Sequence, residues 1–262
     1  MQVTVLASGS KGNSVFVEME GVKLLVDAGI STRRIKQELS QIGQDIAELD
    51  GVFITHEHSD HISGLATLAK KYHIPVFSRP DTFRAMSCYK DLPLDTVNPI
   101  VDQVRLGRVA VRAFGIPHDA ADPVGYAVLG SSKCVVATDM GFVSSQLRQE
   151  LEGARVLVLE SNHDIETLRS GPYPYYLKQR ILGEEGHLCN EEAARFAVTL
   201  AEAGASEIVL AHLSQENNTP AMAQTAVELA LSAAGLAPSL TVAPRGHMSR
   251  AYSVSRRAVC RK

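Results

Sequence analysis

"ITHEHSDH" (residues 54–61) sets four metal-ligand side chains, His56, His58, Asp60 and His61, within six positions. The stretch leaves the apolar, β-branched run "GVFIT" (51–55) and leads into a helical pattern over 63–72. A strand end gives a rigid base, and a tight turn lets residues two and four apart face one cavity. Neutral imidazoles and a carboxylate suit Zn²⁺, and also Mn²⁺ or Fe. An isolated His-x-His is common in solvated loops, but four ligand types at this spacing behind a buried strand are not. Four such close groups cannot all serve one ion, so further ligands are expected downstream.

Three candidates each follow an apolar run: His118 after "VAVRAFGIP", Asp139 after "CVVAT" and His212 after "EIVLA". In sheet folds, function collects on the loops at one edge of the strands. Separate strand ends delivering His, Asp and His therefore predict one converging site.

The rest of the chain reads as alternating strands and helices without a repeat or a long linker. Strands are expected at 3–7, 14–19, 22–29, 51–55, 74–78, 109–116, 124–129, 133–138, 155–160 and 206–211, with a tight hairpin at Glu20-Gly21. Helices are expected at 31–43, 63–72, 80–90, 142–151, 173–182, 190–203 and 219–234. In the helix beginning near 190, Asn190 is the expected cap and Gly204 the stop. An antiparallel set of strands followed by strands alternating with helices predicts a sheet-based α/β domain with helices outside, spanning 1–262 as a single domain.

Composition narrows the class. The chain is 45% hydrophobic and 21% charged, as in ordinary globular proteins. It has no run near the roughly 18 apolar residues of a membrane span, and no membrane partner is expected. The opening "MQVTVLASGS" lacks the basic and apolar regions of a signal peptide, so a cytoplasmic location is expected. Cys88, Cys134, Cys189 and Cys260 are scattered, which favours free thiols over disulfides or a cysteine zinc site. A net charge of −3 gives no global sign of nucleic-acid binding. The terminal 245–262, however, hold six Arg/Lys and no Asp or Glu, as either a solvated tail or a phosphate-contacting strip.

Taken together, "THEHSDH", His118, "TDMG" and "AHLS" resemble the metallo-β-lactamase-fold hydrolases over nearly the whole chain. The resemblance implies a four-layer αββα sandwich with two divalent metal ions, Zn²⁺ or Mn²⁺, at one edge. It would place His56, His58 and His118 on the first metal and Asp60, His61 and His212 on the second, with Asp139 bridging. Asp27, in "DAG", would orient a ligand histidine. An aspartate at the bridging position, where true β-lactamases offer cysteine, suits phosphodiester hydrolysis. It is also compatible with thioester or lactone hydrolysis of the glyoxalase-II type. "LASGSKGNS", "ESNHD", "YPYYLKQRI" and "AHLSQENNTP" are similar to the WalJ/YycJ subgroup, regarded as metal-dependent DNA exonucleases.

The implied mechanism uses a metal-bridged hydroxide oriented by Asp60 for in-line attack on phosphorus. His187, in "GHLCN" (186–190), is the expected proton donor to the leaving oxygen or a phosphate clamp, with Cys189 not a ligand. His163 is expected near the site, against the alternative of a turn residue bonded by Asp164. Ser10, Lys11 and Asn13 in "SGSKGNS" either contact phosphate or form a tight surface turn; the Walker A order is absent. Arg33, Arg34, Lys178 and Arg180 are candidates for a groove that tracks DNA. Besides another bond class, a non-hydrolytic DNA-binding module is the remaining alternative.

Overall fold

The computed structural model describes residues 1–244 and 247–253. Most of the basic terminal strip therefore lies outside the described residues. In chain order the strands are β1 (Gln2–Ala7), β2 (Ser14–Met19), β3 (Val22–Val26), β4 (Gly51–Phe53), β5 (Val76–Ser78), β6 (Val97–Pro99), β7 (Gln103–Leu106), β8 (Val109–Gly115), β9 (Val124–Leu129), β10 (Lys133–Ala137), β11 (Val156–Glu160), β12 (Glu207–Ala211), β13 (Ser239–Val242) and β14 (Tyr252–Ser253). The helices are α1 (Thr32–Gln41), α2 (Ser59–Ile62), α3 (Leu65–Tyr72), α4 (Pro80–Ala85), α5 (Ser145–Leu151), α6 (Ile165–Ser170), α7 (Tyr175–Leu182), α8 (Asn190–Glu202) and α9 (Pro220–Ala233). The strands form two seven-stranded sheets, ordered β14-β1-β2-β3-β4-β5-β6 and β13-β12-β11-β10-β9-β8-β7.

Alternation along the strands sorts the apolar side chains into layers. Val156 and Val158 of β11 join Val3, Val5, Val15 and Val17 of the other sheet in a core between the sheets. Their neighbours Leu157 and Leu159 face outward, against Leu147, Leu151, Ala193, Ala197 and Leu200 of α5 and α8. On the opposite side, Leu6, Phe16, Leu25 and Val52 pack against Ile35, Leu39, Leu65 and Leu68 of α1 and α3. Three apolar interfaces between four layers make the αββα sandwich, because period-two side chains bury both faces of each sheet.

Pairing decides which strand ends share an edge. Strands β10, β11, β12 and β13 are parallel, and β8 runs with β10 because two antiparallel steps separate them. Strands β3, β4 and β5 are parallel in the other sheet. The loops after β3, β4, β8, β10, β11 and β12 thus meet at one end of the sandwich. The hairpin at Glu20-Gly21 has φ of 54° and 83°, as a tight two-residue turn needs.

Several expected boundaries shift. Strand β3 ends at Val26 rather than 29, because Asp27 turns off the sheet with φ 63°. Strand β4 ends at Phe53, and the helix expected over 80–90 stops at Ala85, where Met86 turns extended. The short strands β6, β7, β13 and β14 and the helix α6 carry too little apolar periodicity to be read from sequence. Asn190 is a correction. It is the first residue of α8, and Cys189 holds the cap position without a side-chain bond. The Asn190 amide is buried and accepts from Ser161 Oγ at 2.7 Å while donating to Asn218 Oδ1 at 3.0 Å, so it cannot fold back onto the helix amides.

Candidate metal centre

The turn after β4 carries His56 and His58, and α2 carries Asp60 and His61. This turn is held against two others by backbone hydrogen bonds. Asn13 N–H donates to the Asp60 carbonyl and Gly29 N–H to the Asn13 carbonyl, each at 2.8 Å. The approach requires glycine at 29, where a Cβ would stand 1.7 Å from the Asp60 carbonyl oxygen. "SGSKGNS" and "DAG" are therefore braces for the ligand turn.

Three side chains enter from residues in the left-handed region: Asp27 (φ 63°), Asp139 (φ 62°) and His212 (φ 56°). Each follows a strand by one or two residues. Non-glycine residues in such backbone cost about 1–3 kcal/mol, and such strain collects at functional sites. The excursion turns each side chain sharply off its sheet.

The structure brings the seven sequence-predicted ligand candidates together. His56, His58 and His118 form one group whose ligand atoms lie within 4.8 Å of one another, and Asp60, His61 and His212 form another. Asp139 lies near both: its Oδ2 is 3.5 Å from His61 Nε2, and its Oδ1 is 3.4 Å from His212 Nε2 and 4.0 Å from His118 Nε2. His56 Nε2 and His58 Nδ1 are 3.1 Å apart. Asn13 Nδ2 sits 3.0 Å from His61 Nε2 and donates to Asp60 Oδ2 at 3.2 Å.

The outward nitrogens are anchored. Asp27 accepts from His61 Nδ1 at 2.7 Å and is itself fixed by the Thr55 N–H at 2.8 Å. His118 Nδ1 donates to the Gly186 carbonyl at 3.3 Å, and the backbone N–H of His212 donates to Ser8 Oγ at 2.7 Å. Glu160 escaped sequence reasoning. Fully buried at the end of β11, it accepts from His187 Nδ1 at 2.8 Å and His212 Nδ1 at 2.9 Å, and from the N–H groups of Met140 at 2.8 Å and Leu188 at 3.1 Å. The available signal was a glutamate closing a wholly apolar strand, where a charge needs partners.

Electrostatics divide the cluster. Burial, with His61, His118 and His58 nearby, holds His56 well below the usual histidine range. Burial also lowers His118, against the pull of Asp139. Burial lowers His212 too, but Asp139, Asp60 and Glu160 outweigh it and raise the ring to about 10. His61 is raised likewise, chiefly by Asp27 and Asp139. Burial pushes Asp60, Asp139 and Glu160 up, yet the facing histidines hold all three below the carboxylate range.

Two observations fit this donor set to divalent metal. Asp139 Oδ2 and His212 Nε2 are buried without a hydrogen-bond partner, which buried polar atoms rarely tolerate. Imidazole and carboxylate together are the ligands of borderline divalent cations, with anchored outer nitrogens presenting the inner ones.

A cleft of about 180 Å³ opens beside the cluster, lined by Ser10, Asp119, Arg180, His187 and His212 among others. His187 thus stands on the cleft wall. Lys11 is exposed and is not among the lining residues, nor are Arg33 and Arg34; Arg34 pairs with Glu38 along α1 at 3.4 Å. Arg180 pairs with Asp119. His163 is buried and is not among the lining residues, its ring nitrogens are without a hydrogen-bond partner, and burial lowers it to about 4. Its backbone accepts from Asn190 N–H at 2.9 Å, while Asp164 caps α6 by accepting from Thr167 N–H at 2.7 Å. Cys189 is outside the ligand groups, and burial pushes its thiol up to about 11.

Comparison with known proteins places these observations in a family. The Beta-lactamase superfamily domain matches residues 23–213. The exodeoxyribonuclease YycJ of Bacillus anthracis is 40% identical over 239 residues, 90% of either chain. The exodeoxyribonuclease WalJ of Streptococcus pneumoniae is 39% identical over 239 residues, 89% of either chain. Among solved structures, the metallo-β-lactamase fold protein YhfI of Bacillus subtilis superposes with a TM-score of 0.68 over 95% of this chain and 98% of its own, at 19% identity. That last likeness concerns the fold alone.

Proposed function

Because the chain belongs to the metallo-β-lactamase superfamily, we propose that it is a metal-dependent phosphodiesterase that degrades DNA as an exonuclease. The observation that carries this reading is the match to exodeoxyribonucleases across nine-tenths of both chains, with the whole ligand cluster inside the matched family domain.

In this reading His56, His58 and His118 would hold one divalent ion and Asp60, His61 and His212 a second, with Asp139 within reach of both groups. Zinc and manganese both suit the donors. Bound ions supply Lewis acidity toward water and toward the scissile phosphate. The protein supplies the rest. Asp27 and Glu160 fix the protons of His61 and His212 on Nδ1, which leaves each Nε2 lone pair facing the cluster. Asp60, one carboxylate oxygen held by Asn13, orients the attacking water.

His187 gives the leaving oxygen its proton. Its Nδ1 donates to Glu160 Oε1 at 2.8 Å, which fixes the ring and leaves the other ring nitrogen available to the cleft. Arg180 on the cleft wall offers a planar guanidinium to phosphate. A cytoplasmic location accords with Cys88, Cys134 and Cys189 being free thiols.

The test is to incubate metal-loaded protein with end-labelled single- and double-stranded DNA, a small phosphodiester and a thioester. Progressive DNA shortening, abolished by Asp60→Ala, is the expected result. Thioester turnover with DNA left intact overturns the reading.

A further inference from the structure

Helix α7 has no buried residue, although it carries two tyrosines, two leucines and an isoleucine. Of the eight large apolar side chains exposed among the described residues, three lie on it: Tyr175, Tyr176 and Leu182. The tyrosines are 76% and 75% exposed. A helix this bare is held by its ends and edges. Lys178 Nζ donates to the Arg169 carbonyl at 2.7 Å, and His187 N–H donates to the Ile181 carbonyl at 3.0 Å.

Helical spacing gives α7 two working faces. Leu177, Arg180 and Ile181, at i, i+3 and i+4, line the cleft beside His187. Tyr175, Lys178, Gln179 and Leu182, at i, i+3, i+4 and i+7, line a second hollow of about 430 Å³ with Arg169 of α6. One helix thus forms the wall between the cleft and an outer groove. Over residues 165–182 the charges are Arg169, Lys178 and Arg180 against Glu166; Arg169 stands 3.2 Å from Glu166 in an exposed pair, Arg180 is paired with Asp119, and Lys178 carries its charge beside the outer hollow.

We infer that α7 is a stacking platform for single-stranded DNA: Tyr175 and Tyr176 stack the unpaired bases behind the terminal nucleotide while Lys178 and Arg169 meet their phosphates. This rests on the DNA exonuclease reading of the neighbouring site. Exposed aromatic rings interleaved with cations are what an unpaired strand needs, since bases supply π-faces and the backbone supplies regular negative charge. Bases within a duplex are already stacked on one another and cannot use the rings. The outer hollow lies on the same helix that walls the cleft, so a strand on the platform lies next to the site.

The test compares Tyr175→Ala, Tyr176→Ala and the double variant with Tyr→Phe controls, all metal-loaded. For a single-stranded oligonucleotide, KM should rise roughly 5- to 100-fold per tyrosine removed, with kcat within about twofold. Hydrolysis of a small phosphodiester should be unchanged, and the Phe variants should behave as the parent. Lys178→Ala should lower the salt dependence of KM by about one phosphate contact. Unchanged KM in the double alanine variant overturns the platform, and so does equal loss on DNA and on the small phosphodiester, which marks a structural role. If the parent protein hydrolyses the small phosphodiester but leaves DNA intact, the exonuclease reading fails instead, and the platform with it.

Discussion

Replacing Glu160 with Gln exchanges one oxygen for an NH₂ in a fully buried group whose every partner is fixed. Oε2 accepts from two backbone donors, Met140 N–H at 2.8 Å and Leu188 N–H at 3.1 Å, so the amide oxygen must stay there. The new NH₂ then faces His187 Nδ1 and His212 Nδ1, both of which donate to Oε1 in the parent, at 2.8 and 2.9 Å. Donor meets donor unless each ring moves its proton to Nε2. For His212 that is the atom facing Asp139 at 3.4 Å and Asp60 at 3.7 Å, and a protonated Nε2 cannot ligate. Keeping the ligating tautomer instead forfeits a charged hydrogen bond worth about 1.5–3 kcal/mol. At about 1.4 kcal/mol per tenfold, this predicts a loss of metal affinity of roughly 10- to 100-fold, the usual size for removing a ligand's anchoring partner. His187 loses its anchoring hydrogen bond as well, so DNA turnover at saturating metal should fall by a further ~10²-fold or more. Chelator competition reads the affinity, single-turnover digestion reads the proton donor, and circular dichroism shows that the fold survives. A folded Glu160→Gln protein with parental metal affinity and turnover would refute the assignment of Glu160 as the anchor of both rings.

Replacing His187 with Ala should lower DNA turnover about 10²- to 10⁴-fold while metal content, read by elemental analysis, stays intact; equal loss of both would make His187 a ligand instead. Metal and pH should be coupled in thermal unfolding. The raised His212 stabilises the metal-free fold fully below its ordinary 6.5, and that contribution is lost as pH rises toward about 10. Metal binding needs the ring deprotonated and gains over the same window. The gap in Tm between metal-loaded and chelator-treated protein should therefore widen from about pH 6 to about pH 9, and a constant or narrowing gap contradicts the scheme. Gly29→Ala places a methyl against the Asp60 carbonyl and should cost roughly 1–3 kcal/mol in urea unfolding, with weaker metal retention; parental stability would show that the braces can shift freely.

How far the site was legible in the sequence depended on how local its geometry is. His56, His58, Asp60 and His61 sit on one turn, so their spacing alone brings four ligand types into reach. His118, Asp139 and His212 were visible because each follows a run of alternating, buried strand residues, and strands of one direction end at one edge. Glu160 carries no such mark. Its partners come from positions 140, 187, 188 and 212, and only the parallel pairing of β10, β11 and β12 sets them around one carboxylate. The same limit explains Asn190, whose side chain satisfied every rule for a cap. It went instead to Ser161 and Asn218, partners 29 residues before it and 28 after it along the chain.

The sequence by itself thus determined the sheet-based α/β class, the hairpin at Glu20-Gly21, and the residue types that can ligate metal, because period-two burial and short ligand spacing are properties of a few consecutive residues. Tertiary structure alone decided which nitrogen of each histidine faces inward, which carboxylate holds its proton, and which helix was left bare beside the cleft. Those depend on groups far apart in the chain meeting across the sheet edge, where burial makes each remaining hydrogen bond and charge decisive.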